Sequence, residues 1–227
     1  VTESITEDMA AKKQLFKDLD RLCPEDVILA SNTSSFSITE IASVTDNKNR
    51  VVGTHWWNPP YLMPLVEIVK AAETSEETVK RTRQFLLGLG KVPVLCKDHP
   101  GFIGVRLQGA LVTEAIRILE EGLASAEDID TAVRMSLGFR LPIIGPLQTV
   151  DLGGMDTFFY AYDYLYRELG DRFRPPAIFR EKVKKGELGI KTGKGFYQYT
   201  PESIESLVRR RDDWIVKRLK ELQSEER

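Results

Sequence analysis

The first 98 residues of this 227-residue chain contain short apolar segments that alternate with segments of helical periodicity. Each apolar segment is bounded by small polar residues, glycine or proline, a pattern typical of buried strands in a parallel sheet. The alternation of strands with helices favours an α/β layer built on a parallel or mixed sheet. The predicted strands are 27–30, 50–55, 65–69 and 91–96. The helices predicted around them are 4–22, 38–42 and 74–89.

The apolar spacing changes at the Pro-Gly pair of residues 100 and 101, and it is helical in the rest of the chain. Successive helical segments without intervening strands are typical of an all-helical domain. The sequence therefore predicts an α/β domain over 1–98 and an all-α domain over 99–227. The helical segments predicted in the second domain are 102–121, 125–135, 147–169, 178–185 and 202–222.

Composition excludes several classes of function. The chain has 32 Lys and Arg against 34 Asp and Glu, so its net charge of −2 indicates no nucleic-acid or anionic-membrane partner. No apolar run approaches the roughly 20 residues that a membrane-spanning helix needs. The two cysteines, Cys23 and Cys96, make no disulfide framework, which favours a reducing, cytoplasmic compartment. The two imidazoles, His55 and His99, lack further ligands at metal-binding spacing, so no metal site is predicted.

His55 and Glu67 are candidate members of a catalytic pair. His55 ends a predicted strand, and ligands of α/β sheets bind at strand ends. Glu67 lies inside the next apolar strand, where a carboxylate is costly unless it has a partner. The carboxylate would hold one ring nitrogen while the other accepts a substrate proton. The alternative is a histidine that caps a loop beside a glutamate that faces solvent, and spacing leaves both open.

A cluster of small polar residues, 31–35, follows the first predicted strand of the series. Hydroxyl and amide groups in such a loop could contact a ligand or approach a flat cofactor ring. The alternative is a turn whose side chains satisfy its own backbone. The spacing of the residues does not decide between these two interpretations.

A series of short motifs extends in fixed order along nearly the whole chain. In order and spacing they resemble the motifs of the 3-hydroxyacyl-CoA dehydrogenase family. Each motif is modest evidence by itself, but the ordered set is specific. The matching segments are 3–8 with Lys12, then 30–35, 53–59, 65–67, 97–103, 145–147, 151–156 and 191–197.

The resemblance implies part of a Rossmann-type NAD-binding domain, followed by a helical C-terminal domain for substrate binding and dimerisation. It implies NAD as the cofactor, a homodimer, and oxidation of a 3-hydroxyacyl-CoA, such as 3-hydroxybutyryl-CoA, to the 3-ketoacyl-CoA. Its general base would be His55, oriented by Glu67. The catalytic residues implied are His55, Glu67, Ser34 and Asn58. The cofactor-binding residues implied are Glu7, Lys12, Ser34 and Lys191.

Departures from the family pattern leave other functions open. The family's glycine-rich phosphate-binding turn would precede Val1, so we expect the isolated chain to have little or no activity. Val105 stands where the family commonly has asparagine, and Trp56-Trp57 replaces a smaller aromatic pair. One alternative is a dehydrogenase of a free 3-hydroxy acid, of the L-gulonate or carnitine type. Another is an inactive fragment or dimerisation module.

Overall fold

The computed structural model of the protein describes residues 1–225. A five-stranded mixed sheet forms the centre of the first part of the chain. The strands lie in chain order, and only β4 is antiparallel to its preceding neighbour, β3. This arrangement confirms the predicted α/β layer, and of the parallel and mixed sheets left open it is the mixed one. The strands are β1 (Thr2–Glu3), β2 (Leu29–Ser31), β3 (Val51–Trp56), β4 (Leu65–Lys70) and β5 (Val92–Lys97).

Ten α-helices account for most of the other residues within 1–225. The first three are α1 (Met9–Leu22), α2 (Ile38–Ala42) and α3 (Glu76–Gly88). The remainder are α4 (Gly104–Glu120), α5 (Ala126–Met135), α6 (Leu137–Arg140), α7 (Pro146–Gly153), α8 (Met155–Leu169), α9 (Ala177–Lys184) and α10 (Pro201–Glu225). No helix within residues 1–225 is long and apolar enough to cross a bilayer.

Alternating side chains of the strands fill an apolar core on each face of the sheet. On one face Leu29, Val51 and Val69 pack with residues of α1 and α2, such as Phe16 and Ile41. The other core contains Ala30, Val52, Val66, Ile68, Val79 and Leu86. Because successive strand residues point to opposite faces, these apolar runs are buried on both sides. The buried parallel strand predicted over 27–30 is present as β2 over Leu29–Ser31, with parallel neighbours on both edges.

Among the differences between the predicted and observed helices, two have a clear physical reason. The first helix begins at Met9 rather than at residue 4, because the Asp8 carboxylate accepts the Ala11 amide and caps the helix there. The helix predicted over 147–169 is two helices, α7 and α8. They are separated at Gly154, whose φ of 94° a residue with a side chain rarely adopts.

The described chain divides into two compact units, the first of which is Val1–Arg117 and the second of which begins at Ile118. The predicted domain boundary after residue 98 falls in the segment between β5 and α4, and it stays a prediction. The first turn of α4 belongs with the sheet because the backbone amides of Ile103 and Gly104 bind a carboxylate of β4. Helical periodicity alone does not report such a contact, since it describes only the helix itself.

Candidate active site

His55 and Glu67 lie side by side on β3 and β4. The antiparallel register of these strands places the two residues directly opposite each other. Nδ1 of His55 lies 2.7 Å from Oε2 of Glu67, and both side chains are buried. The structure therefore brings together the two residues that the sequence suggested as a base and its orienting carboxylate.

The second oxygen of Glu67 is held by the N-terminus of α4. Oε1 accepts the backbone amides of Ile103 and Gly104, each at 3.0 Å. Unpaired amides at a helix N-terminus favour negative charge nearby. Burial raises the pKa of Glu67, but the hydrogen bonds from His55 and these amides outweigh it and hold the pKa below its ordinary 4.5. Sequence reasoning missed this contact, although the Pro-Gly pair ahead of a helix was a signal for a helix start.

The imidazole of His55 has one occupied and one unoccupied nitrogen. Nδ1 faces the Glu67 carboxylate, so we place the ring proton there and a lone pair on Nε2. Nε2 has no hydrogen-bond partner within residues 1–225. Trp57 and Phe102 flank the ring, with centroid distances of 5.5 and 5.7 Å. A buried histidine arranged in this way can accept a proton at Nε2 while Glu67 stabilises the resulting cation.

The polar loop after β2 is organised by Glu7. The Glu7 carboxylate accepts the Thr33 hydroxyl at 3.0 Å and the Ser34 amide at 2.7 Å. Asn32 joins this loop to β3, because its side-chain oxygen accepts the Trp56 amide. Within the loop, the Ser31 hydroxyl accepts the Thr33 amide and the Thr33 hydroxyl accepts the Ser35 amide, as the second interpretation proposed. Ser34, in contrast, is exposed, so its hydroxyl is accessible to a ligand.

Lys12 is a fully buried cation on α1. Its ammonium lies 3.1 Å from both carboxylate oxygens of Glu3 and 3.3 Å from the carbonyl oxygen of Ile5. Glu3 also accepts the Ser31 hydroxyl, so the pair joins α1, β1 and β2. Lys12 therefore faces the protein interior, and its contact with a cofactor stays a prediction.

We expect Lys12→Met to lower the free energy of unfolding by about 3–5 kcal/mol, because it leaves the buried Glu3 carboxylate without its counter-charge. Lys13→Met is the matched control. Lys13 pairs with Glu40 at the exposed side of the same helix, and such pairs contribute about 0–1 kcal/mol. Chemical denaturation of both variants measures the difference. Equal losses would contradict the assignment of a structural ion pair to Lys12.

The remaining predicted site residues are Asn58 and Lys191. Asn58 is exposed just beyond the end of β3, two residues after Trp56. Lys191 belongs to the second unit, where its ammonium contacts Asp156 at 2.7 Å and the Thr157 hydroxyl at 3.0 Å. The hydrogen bond from Lys191 lowers the pKa of Asp156. Within residues 1–225 no group of three or more His, Cys, Asp and Glu side chains could hold a metal ion.

Asp151 is a fully buried residue that sequence reasoning missed. It lies on α7 and holds the glycine-rich loop (189–199) that carries Lys191. Its carboxylate accepts the amides of Phe196 and Tyr197 at 2.9 Å and the Tyr199 hydroxyl at 3.0 Å. A Cβ atom at Gly195 would lie 2.0 Å from its Oδ1, so only glycine allows this approach. The contact is invisible to periodicity because 45 residues separate Asp151 from Phe196.

We expect Asp151→Asn to lower the free energy of unfolding by about 2–3 kcal/mol. The amide group that replaces one oxygen cannot accept the hydrogen bonds of buried donors. Asp163→Asn on α8 is the matched control, since its partner Arg167 is exposed and the expected change stays within about 0.5 kcal/mol. Thermal and chemical unfolding measure both changes. If Asp151→Asn leaves the free energy of unfolding unchanged, other contacts hold the loop.

Two family models match consecutive parts of the chain. The 3-hydroxyacyl-CoA dehydrogenase NAD-binding domain matches residues 1–99, and the C-terminal domain of the same family matches residues 101–199. The "Probable 3-hydroxybutyryl-CoA dehydrogenase" of Bacillus subtilis is 46% identical over 200 residues, covering 88% of this chain and 69% of that protein.

Two further relatives are also similar to this chain along most of its length. A 3-hydroxyacyl-CoA dehydrogenase structure from Archaeoglobus fulgidus has a TM-score of 0.84 and 40% identity, covering 98% of this chain and 76% of that one. The 5-formyl-3-hydroxy-2-methylpyridine 4-carboxylate 5-dehydrogenase of Mesorhizobium japonicum is 34% identical, covering 91% of this chain and 67% of that protein. The chain therefore belongs to the 3-hydroxyacyl-CoA dehydrogenase family of NAD-dependent oxidoreductases.

Proposed function

We propose that this protein oxidises the 3-hydroxyl group of a short-chain 3-hydroxyacyl-CoA, of the size of 3-hydroxybutyryl-CoA, to the 3-ketoacyl-CoA. The observation that carries the proposal is the buried contact of 2.7 Å between His55 and Glu67, with the other ring nitrogen left without a partner among the described residues. A secondary alcohol needs a base of near-neutral pKa to accept its proton, and imidazole is that base among side chains.

In this mechanism Nε2 of His55 accepts the hydroxyl proton of the substrate. Glu67 stabilises the imidazolium and fixes the tautomer through Nδ1. The amides of Ile103 and Gly104 keep the carboxylate ionised and immobile during the reaction. NAD, when bound, supplies the acceptor for the hydride that leaves C3 of the substrate. Trp57 and Phe102 flank the imidazole and limit the access of water to it.

We expect the nicotinamide end of NAD to bind beside two exposed polar residues, Ser34 and Asn58. Ser34 follows the carboxyl end of β2 and Asn58 follows that of β3, and these strands are parallel neighbours. Ligands of open α/β sheets bind at such carboxyl ends. We assign the contact with the ring to the hydroxyl of Ser34 and the carboxamide of Asn58. Glu7 would shape the loop that presents Ser34, through its hydrogen bond to the Ser34 amide.

A free acid is the second candidate substrate. The Mesorhizobium relative is named for a pyridine carboxylate rather than for a CoA ester. In addition, Val105, on the first turn of α4, occupies the position where the family commonly has asparagine. Both observations favour a test of a 3-hydroxy acid without CoA, although the Bacillus relative is named for 3-hydroxybutyryl-CoA.

The formation of NADH by the complete protein, with 3-hydroxybutyryl-CoA and with free 3-hydroxybutyrate, tests the proposal. Activity with the CoA ester and not with the acid is the expected result. Activity with the acid alone would establish the second candidate. Inactivity with both, in a folded protein that binds NAD, would overturn the proposal. The isolated chain should be assayed in parallel.

The proposal extends to assembly and location. A homodimer is supported by the exposed apolar residues of α4, among them Leu107, Val112 and Ile116, which are 47–57% exposed. Sedimentation equilibrium of the protein should give twice the mass of one chain, and a monomer at micromolar concentration would refute this part. A cytoplasmic role in fatty-acid metabolism follows from the proposed substrate and from the two free cysteines, which suit a reducing compartment.

A further inference from the structure

Trp57 and Gly104 meet in a contact that leaves no room for a side chain. A Cβ atom built at Gly104 would lie 2.2 Å from Cζ2 of Trp57 and 3.1 Å from its Cε2. Separations below 3.0 Å force one group to move, and here the opposing group is a rigid indole. Gly104 has a helical conformation, so space rather than backbone freedom requires glycine at this position.

Both members of this contact also contact the His55–Glu67 pair. The Gly104 amide donates a hydrogen bond to Glu67, and the Trp57 ring lies 5.5 Å from the His55 ring, tilted by 54°. Trp57 therefore fills the space between the imidazole and the first turn of α4. Its indole nitrogen is buried and has no hydrogen-bond partner within residues 1–225, so no polar contact holds the ring there. Shape alone sets its position.

We propose that Trp57 and Gly104 are a size-matched pair of positioning residues that sets the distance between α4 and the His55–Glu67 pair. A larger residue at position 104 displaces either the indole or the start of α4. The first shift disturbs the His55 ring, and the second withdraws the amide from Glu67. The effect on turnover rests on the proposed function, whereas the effect on the His55–Glu67 hydrogen bond does not.

The hydrogen bond can be observed directly by proton NMR of the protein. A short hydrogen bond between imidazole and carboxylate moves the Nδ1 proton far downfield, and His55→Gln assigns that signal by removing it. We expect Gly104→Ala to abolish the signal and to lower the thermal midpoint. Trp57→Phe removes the ring atoms with which the added methyl group would clash. The double variant Trp57→Phe, Gly104→Ala should therefore regain the downfield signal and the thermal midpoint.

Trp56→Phe is the matched control for the removal of an indole. Trp56 precedes Trp57 on the chain but packs with the core that contains Val66, and its indole nitrogen is also buried without a partner among the described residues. This variant should retain the downfield signal, and combined with Gly104→Ala it should give no rescue. The proposal is overturned if Gly104→Ala keeps the signal, or if Trp57→Phe rescues no better than Trp56→Phe. A double variant that also fails to fold overturns it as well.

Kinetics of the complete enzyme with NAD provide the second readout. Gly104→Ala should lower kcat by about 10- to 100-fold while KM changes by less than about threefold, since the pair positions the base rather than the substrate. The double variant should regain about 10-fold of that loss. If the wild-type protein is inactive but the downfield signal is lost in Gly104→Ala and regained with Trp57→Phe, the proposed function is refuted. The proposal of a positioning pair is then still supported.

Discussion

Replacing His55 by glutamine is expected to lower kcat of the complete enzyme by about 10²- to 10⁴-fold and to leave KM nearly unchanged. Glutamine can donate to Glu67 from a similar position, but it cannot accept the proton of a substrate hydroxyl. The loss should therefore fall on the chemical step. Steady-state formation of NADH, with NAD and the acyl-CoA varied separately, measures it.

His99→Gln is the control for this replacement. His99 is the other imidazole of the chain, and it is exposed in the segment before α4. We expect its turnover to stay within about twofold of wild type, as for surface replacements away from special contacts. If the two variants lose activity equally, or if His55→Gln turns over normally, then His55 is not the general base.

Glu67→Gln is expected to lower kcat by about 10³-fold or more with little loss of folded structure. The glutamine oxygen can still accept the amides of Ile103 and Gly104, which places its NH₂ group against Nδ1 of His55. Nδ1 must then be the acceptor, so the ring proton moves to Nε2 and blocks the atom that should take the substrate proton. A buried carboxylate beside a catalytic histidine has an effect of this order when replaced by its amide.

The tautomer itself can be measured. Nitrogen-15 NMR of the imidazole should show Nδ1 protonated in the wild type and Nε2 protonated in Glu67→Gln. Glu73→Gln is the control, because its partner Lys48 lies at the surface and the carboxylate is 62% exposed. Unchanged turnover in Glu67→Gln, or a lost activity that accompanies unfolding, would contradict the tautomer argument.

The same carboxylate predicts a dependence of stability on pH. Its pKa is lower in the folded protein than the ordinary 4.5, so the unfolded chain binds the proton more tightly. Ionised Glu67 therefore stabilises the fold above pH 4.5, and this contribution is lost as the pH falls below that value. The difference in unfolding free energy between the wild type and Glu67→Gln should shrink with acidification from pH 4.5 downward. If that difference in unfolding free energy grows with acidification instead, ionised Glu67 does not stabilise the fold.

Local patterns in the sequence were sufficient for the class of fold, and they named His55 and Glu67 as candidates without deciding that the two form a pair. Apolar runs and helical periodicity depend on neighbours a few residues apart, so the strands β2 to β5 were predictable. β1 was not predicted, because its two residues are too few to show an alternating pattern. An apolar strand that contains a carboxylate required a partner, and that argument selected Glu67.

Only the tertiary structure decided how each charged group is used. The register of β3 and β4 places His55 opposite Glu67, and the packing of α4 brings two amides from 36 and 37 residues away. Packing likewise determines the burial of Lys12 and the contact between Trp57 and Gly104. These contacts depend on how elements pack, and residue spacing records the elements alone. Sequence by itself determined the residues available for chemistry, and packing decided which atoms of them are free to act.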